Sequence, residues 1–158
     1  MKKGSTLFIA VAMLLLAAMP CYGATAASCT TPALTGFPNS PALLVTFVCT
    51  ASSTDGSFVS STISDSRIKG MYISHVYTTP GTPNPQALWD ATLKSTGGMD
   101  YMGGAVLNAS ATAQQRWVPL YTTGVYDQPV VKDTLIWAIT GSNVGSAVIT
   151  ADVWLWRQ

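Results

Sequence analysis

The stretch "SAVITADVWLW", residues 146–156, alternates without a break. Ala147, Ile149, Ala151, Val153 and Leu155 form one series, and Val148, Thr150, Asp152, Trp154 and Trp156 the other. Period two belongs to a β-strand, whose side chains point to opposite faces in turn. The first series is apolar throughout and is expected to face a core. The second carries Asp152 with both tryptophans and is expected to face away from it. The chain contains no glutamate and only 9% charged residues, so the usual helix formers are scarce. An all-β fold follows.

Other segments repeat the pattern. "ALLVTFVCT" (residues 42–50) places Val45, Phe47 and Cys49 on one face. In "SDSRIKGMYISHVYT" (64–78), strict alternation sets Ile68, Gly70, Tyr72, Ser74 and Val76 against Lys69, Met71, Ile73, His75 and Tyr77. "ALWDATLKS" (87–95) alternates Trp89, Ala91 and Leu93 with Asp90, Thr92 and Lys94, as a half-buried strand does. "DTLIWAIT" (133–140) is apolar on both faces, which suits a central strand. The loops "TPGTPNPQ" and "GSNVG" suggest hairpins joining 64–78 to 87–95 and 133–140 to 146–156. A short strand is expected at 102–107, a brief helix after an Asn108 cap, and an edge strand at "RWVPLYT", where Pro119 cannot donate to a ladder. Seven or eight short antiparallel strands predict a β-sandwich or jelly roll.

The first residues read differently. A basic "MKK", an uncharged apolar run over 7–19 and Ala24-Thr25-Ala26 have the order of a secretory signal peptide. Residues 1–26 are therefore expected to be removed, leaving one domain over 27–158 in a secreted, periplasmic or cell-surface location. Cys21 keeps lipidation open as an alternative, although Ala18-Met19-Pro20 is a poor lipobox. Loss of Lys2 and Lys3 leaves six basic residues against seven aspartates. Near-neutral charge without a basic run points away from nucleic acid, and no membrane association is expected after cleavage. Cys29 and Cys49 remain. An even count in an exported chain suggests a disulfide, with two free buried thiols as the alternative.

No pattern of catalytic residues stands out. His75 is the sole histidine, and alternation directs Ser74 to the opposite face, so the two are not expected to pair. No G-x-S-x-G, metal-ligand cluster or calcium-loop spacing occurs. Asp55, Asp100 and Asp127 sit beside turn residues, where aspartate makes turn hydrogen bonds. The reading is of a non-enzyme without metal or cofactor. Asn108-Ala109-Ser110 is a formal glycosylation sequon behind a bacterial-looking leader. The candidate binding or interface residues are Trp154, Trp156, Tyr72 and Tyr77. Trp154 and Trp156 would stand about 7 Å apart on one face. Cover by another segment, a subunit interface and a sugar-stacking platform are the three readings of that pair.

"TASSTDGSF", "IKGMYISHVYTTPGTPNPQALWDATL", "MGGAVLNASATAQQ" and "DTLIWAITGSNVGSA" follow one another in the chain. This series resembles a group of small β-rich proteins encoded among phage and prophage virion structural genes. The likeness spans about residues 45–153. It implies a non-enzymatic virion or surface-assembly component, without cofactor, that assembles with itself or a larger protein particle. A secretory leader and the Cys29–Cys49 segment depart from that pattern, and Trp89 stands where the group has tyrosine. A carbohydrate-binding module using the exposed aromatics is the alternative function.

The intact mass of the exported protein is expected to correspond to a chain starting at Ala27. A species retaining Met1, or carrying a diacylglyceryl group on Cys21, overturns the leader assignment.

Overall fold

The computed structural model describes residues 24–30, 32–36, 40–122, 125–126 and 128–157. Most of the expected leader, Cys21 included, lies outside them, as does Asp127. Among the described residues the regular structure is all strand, and every strand pair is antiparallel. Strands β1 (Ser28–Cys29), β2 (Ala33–Thr35), β3 (Ala42–Thr50), β5 (Tyr72–Pro80), β7 (Gln115–Trp117) and β11 (Val148–Trp156) make one sheet. Its order is β1-β3-β11-β5-β7, with β2 also on the outer edge of β3. Strands β4 (Ser61–Ile63), β6 (Asp90–Lys94) and β10 (Leu135–Thr140) make a second sheet in the order β4-β10-β6. A small hairpin pairs β8 (Leu120–Thr122) with β9 (Val125–Tyr126).

The sandwich closes because each sheet turns one apolar series inward. Leu43, Val45, Phe47 and Cys49 of β3 are buried, with Ile149, Ala151, Val153 and Leu155 of β11. From the second sheet come Leu135, Trp137 and Ile139 of β10 and Ala91 and Leu93 of β6, with Trp89 just before β6. These residues join one contiguous core. Phe47 and Trp137 span it, with ring centroids 6.3 Å apart. Fully burying a large apolar side chain stabilises by roughly 1.5–3 kcal/mol, so these interdigitating rows drive the folding. The Trp137 Nε1–H is buried without a partner among the described residues, a local cost of about 1–3 kcal/mol offset by the packing of its ring.

The two expected hairpins are instead crossovers between sheets. β5 and β6 lie in different sheets, as do β10 and β11. A glycine- or proline-marked loop permits a chain reversal but does not choose the sheet that receives the next strand. β10 is indeed central, in the smaller sheet, and β11 is drawn between β3 and β5, where both of its edges find partners. The loop after β10 is fixed by contact with residues 52–57. A Cβ on Gly56, which has φ +70°, would fall on the backbone of Asn143. The expected strand at 102–107 is a turn followed by irregular chain, and no helix follows it. Asn108 adopts φ +55°, and its amide donates to Asp90 Oδ1 at 2.7 Å. The Ser110 hydroxyl oxygen accepts the amides of Thr112 and Ala113, holding a turn rather than a helix. The single edge strand expected over 116–122 is instead divided at Pro119: β7 (Gln115–Trp117) is an edge of the larger sheet, whereas β8 (Leu120–Thr122) pairs with β9 in the separate hairpin.

Cys29 and Cys49 face each other across β1 and β3, with Cα atoms 4.0 Å apart, and form a disulfide. That excludes the free-thiol alternative and fits an oxidising compartment. The bond closes a separation of 20 residues, worth about 3 kcal/mol by the chain-entropy model. Replacing both cysteines by serine is expected to lower the unfolding free energy by roughly 2–4 kcal/mol in denaturant melts. Unchanged stability would mean that β1 is held by its other contacts.

Candidate binding face

β11 is hydrogen-bonded to β3 on one side and β5 on the other, so its outward residues sit in rows across the larger sheet. One row runs Ala42, Trp156, Tyr72. The next runs Leu44, Trp154, His75. A third runs Thr46, Asp152, Tyr77, Arg116, and beyond it lie Val48, Thr150 and Thr79. All four aromatic residues singled out in the sequence thus share one face, although they come from two strands. Tyr72 and Trp156 pack with centroids 5.3 Å apart. Trp154 is the most open of them, at 39% exposure. No described segment covers it fully. Trp137 belongs to the core, so the three C-terminal tryptophans divide between inside and outside.

Strict alternation fails within β5. Trp154 pairs with His75, but the adjacent Leu155 pairs with Ile73, so Ser74 is an extra residue at a β-bulge. The bulge changes the phase of the strand. Ile73 and Val76 both turn inward, whereas His75 and Tyr77 share the outer face. The expected grouping of Ser74 with Val76 is thereby corrected. So is the expectation that Ser74 and His75 cannot meet, because the Ser74 Oγ lies 2.9 Å from His75 Nδ1.

His75 is the residue of this face that the sequence did not single out. It stacks against Trp154 at 6.0 Å and meets Tyr77 edge-on at 5.0 Å. Burial, and secondarily the positive charge of Arg116, hold its pKa below the ordinary 6.5. The imidazole is therefore neutral at pH 7. Asp152 Oδ1 accepts the Thr46 hydroxyl at 2.6 Å, which fixes the carboxylate in the third row. Gln114 Nε2 donates to Thr79 Oγ1 at the polar end. Taken together, the face grades from aromatic to hydroxyl-rich.

Two of the aspartates expected to make turn hydrogen bonds do so. Asp100 receives the amides of Leu93, Met102 and Gly104, and Asp55 that of Ser57, so both are turn residues. Among the described residues, no group of three or more His, Cys, Asp or Glu side chains is placed to hold a metal ion. Comparison with protein-family models, curated proteins and solved structures finds no match to this chain.

The depressed His75 pKa carries a definite sign. The unfolded chain takes up this proton more readily, so its contribution is present above pH 6.5 and lost as pH falls toward the folded value. Asp55, Asp65 and Asp133 are held below 3.8, chiefly by hydrogen bonds from Ser57, Arg67 and Thr134, so their losses come in a separate, more acidic window. Denaturant melts are expected to show stability declining just below pH 6.5, with His75→Gln flattening that part of the curve. An identical slope in the variant would remove His75 as the cause.

Proposed function

We propose that this chain is an exported, non-enzymatic β-sandwich module that assembles with protein partners through the outer face of its larger sheet. The observation that carries the reading is the gathering of Tyr72, His75, Tyr77, Trp154 and Trp156 on that face. Outward residues of a sheet facing only water alternate as polar positions, and aromatic side chains concentrate where proteins meet. Mutual packing of the rings, Trp154 on His75 and Trp156 on Tyr72, favours a protein partner over a sugar, which stacks on an open ring face. The disulfide supports export. The resemblance to phage virion structural proteins supports assembly into a larger particle, with no catalytic step and no cofactor.

A comparison of two substitutions tests this. Trp154→Ala is expected to change the monomer's unfolding free energy by less than about 1.5 kcal/mol while weakening association. Val153→Ala, directed into the core, is expected to cost roughly 1–3 kcal/mol through lost apolar volume. Denaturant melts at low concentration read the first effect, and sedimentation the second. If Trp154→Ala unfolds the monomer as badly as a core truncation, the binding face is lost as a hypothesis. Glycan binding abolished by Trp154→Ala, without any protein association, would transfer the face to the carbohydrate alternative.

A further inference from the structure

The charges on the outer face are few and are arranged in a particular way. Asp152 and Arg116 occupy the same cross-strand row, one on each side of Tyr77. With strands about 4.8 Å apart, their attachment points are separated by about 10 Å. Arg116 is exposed and makes no ion pair among the described residues. Asp152 uses one oxygen for Thr46, and the other has no partner among the described residues. Apart from Gln114 at the polar end, the remaining residues of the face are aromatic, aliphatic or hydroxyl-bearing.

A face meant for a strongly acidic or basic partner carries one sign of charge. This face carries one of each, placed symmetrically about β5. An isologous interface requires that property, because the same patch must complement itself. A two-fold axis running along β5, in the plane between two such faces, exchanges the positions of β11 and β7. We propose that this face pairs with a second copy of the chain about that axis, so that Arg116 of each copy meets Asp152 of the other. The proposal rests on the assembly reading above and names its partner.

The arrangement fixes other contacts. β5 lies over β5 of the second copy, so Tyr77 and His75 approach their own counterparts. Trp154 crosses toward the β7 edge, one row from Arg116 of the second copy. Three strands overlap, roughly 14 Å wide and up to about 30 Å long, or about 400 Å² per copy. That is about 800 Å² for both copies, below the roughly 1,200–2,000 Å² of stable interfaces, so the dimer is weak and concentration-dependent. Acid opposes it. Two protonated His75 side chains would face each other beside both Arg116 groups and the Tyr72 and Tyr77 rings, with only Asp152 opposing the positive charge.

Sedimentation of the mature protein up to millimolar concentration is expected to show a monomer–dimer equilibrium that weakens as pH falls through the folded-state pKa of His75, which lies below the ordinary 6.5. Arg116→Asp and Asp152→Arg are each expected to weaken it by roughly tenfold or more. Mixed together, the two variants are expected to restore association, because each then presents the sign that the other lacks. Asp152→Asn, which retains an acceptor for Thr46, serves as a second variant should Asp152→Arg disturb the fold. It is expected to weaken association less than charge reversal does. A wild-type chain that stays monomeric throughout overturns the proposal, as does a mixture that associates no better than its components. If Trp154→Ala still weakens association while the mixture fails, the two-fold pairing is lost and the assembly reading stands.

Discussion

The position of β11 governs this molecule. It is nine residues long and paired along its length with β3 on one side and with β5 on the other. A strand hydrogen-bonded at both edges has two directions left for its side chains, inward to the other sheet or outward. The series from Ile149 to Leu155 takes the inward direction and meets the second sheet. The outward direction is then forced on Asp152, Trp154 and Trp156. Their exposure follows from the burial of their neighbours, and the face they form depends on the same ladder as the core.

The sequence made the inward and outward series legible wherever alternation was clean. β3, β6 and β11 each bury the apolar series that period two sets on one face, and in β10, apolar on both faces, the series Leu135, Trp137 and Ile139 is the buried one. Sheet partnership was not legible in the same way. Gly141 and Gly145 mark a reversal between β10 and β11, yet the reversal leads into the other sheet, since the partners of β11 come from residues 42–50 and 72–80. Such pairings depend on complementary rows far apart in the chain, which a local pattern does not encode. The helix expected after Asn108 failed for a similar reason. The Ser110 hydroxyl accepted the backbone amides of Thr112 and Ala113 in a turn, and the Asp90 carboxylate fixed Asn108 outside helical geometry.

The candidate face was legible residue by residue but not as an assembly. Trp154 and Trp156 were assigned together from alternation alone, and Tyr72 and Tyr77 were singled out beside them. What joins the four is the register of β5 against β11, including the extra residue Ser74. Without that bulge, His75 and Ile73 would share a side, and either an apolar side chain would face water or an imidazole would enter the core. The bulge resolves the conflict between the two ends of β5. It also places His75 between Trp154 and Tyr77, where its charge state bears on the whole face.

The disulfide has a mechanical consequence. A pull on the chain ahead of Cys29 passes through the covalent bridge into β3 at Cys49 and bypasses the short β1 ladder. A pull on the chain after β11 enters at Trp156, which lies opposite Ala42 at the other end of β3. The two forces therefore act at opposite ends of neighbouring strands and along their length. Rupture in this geometry needs the β3–β11 hydrogen bonds to fail together under shear rather than one after another by peeling. A module loaded in this way resists extension at the centre of its sheet, where its longest strands lie side by side.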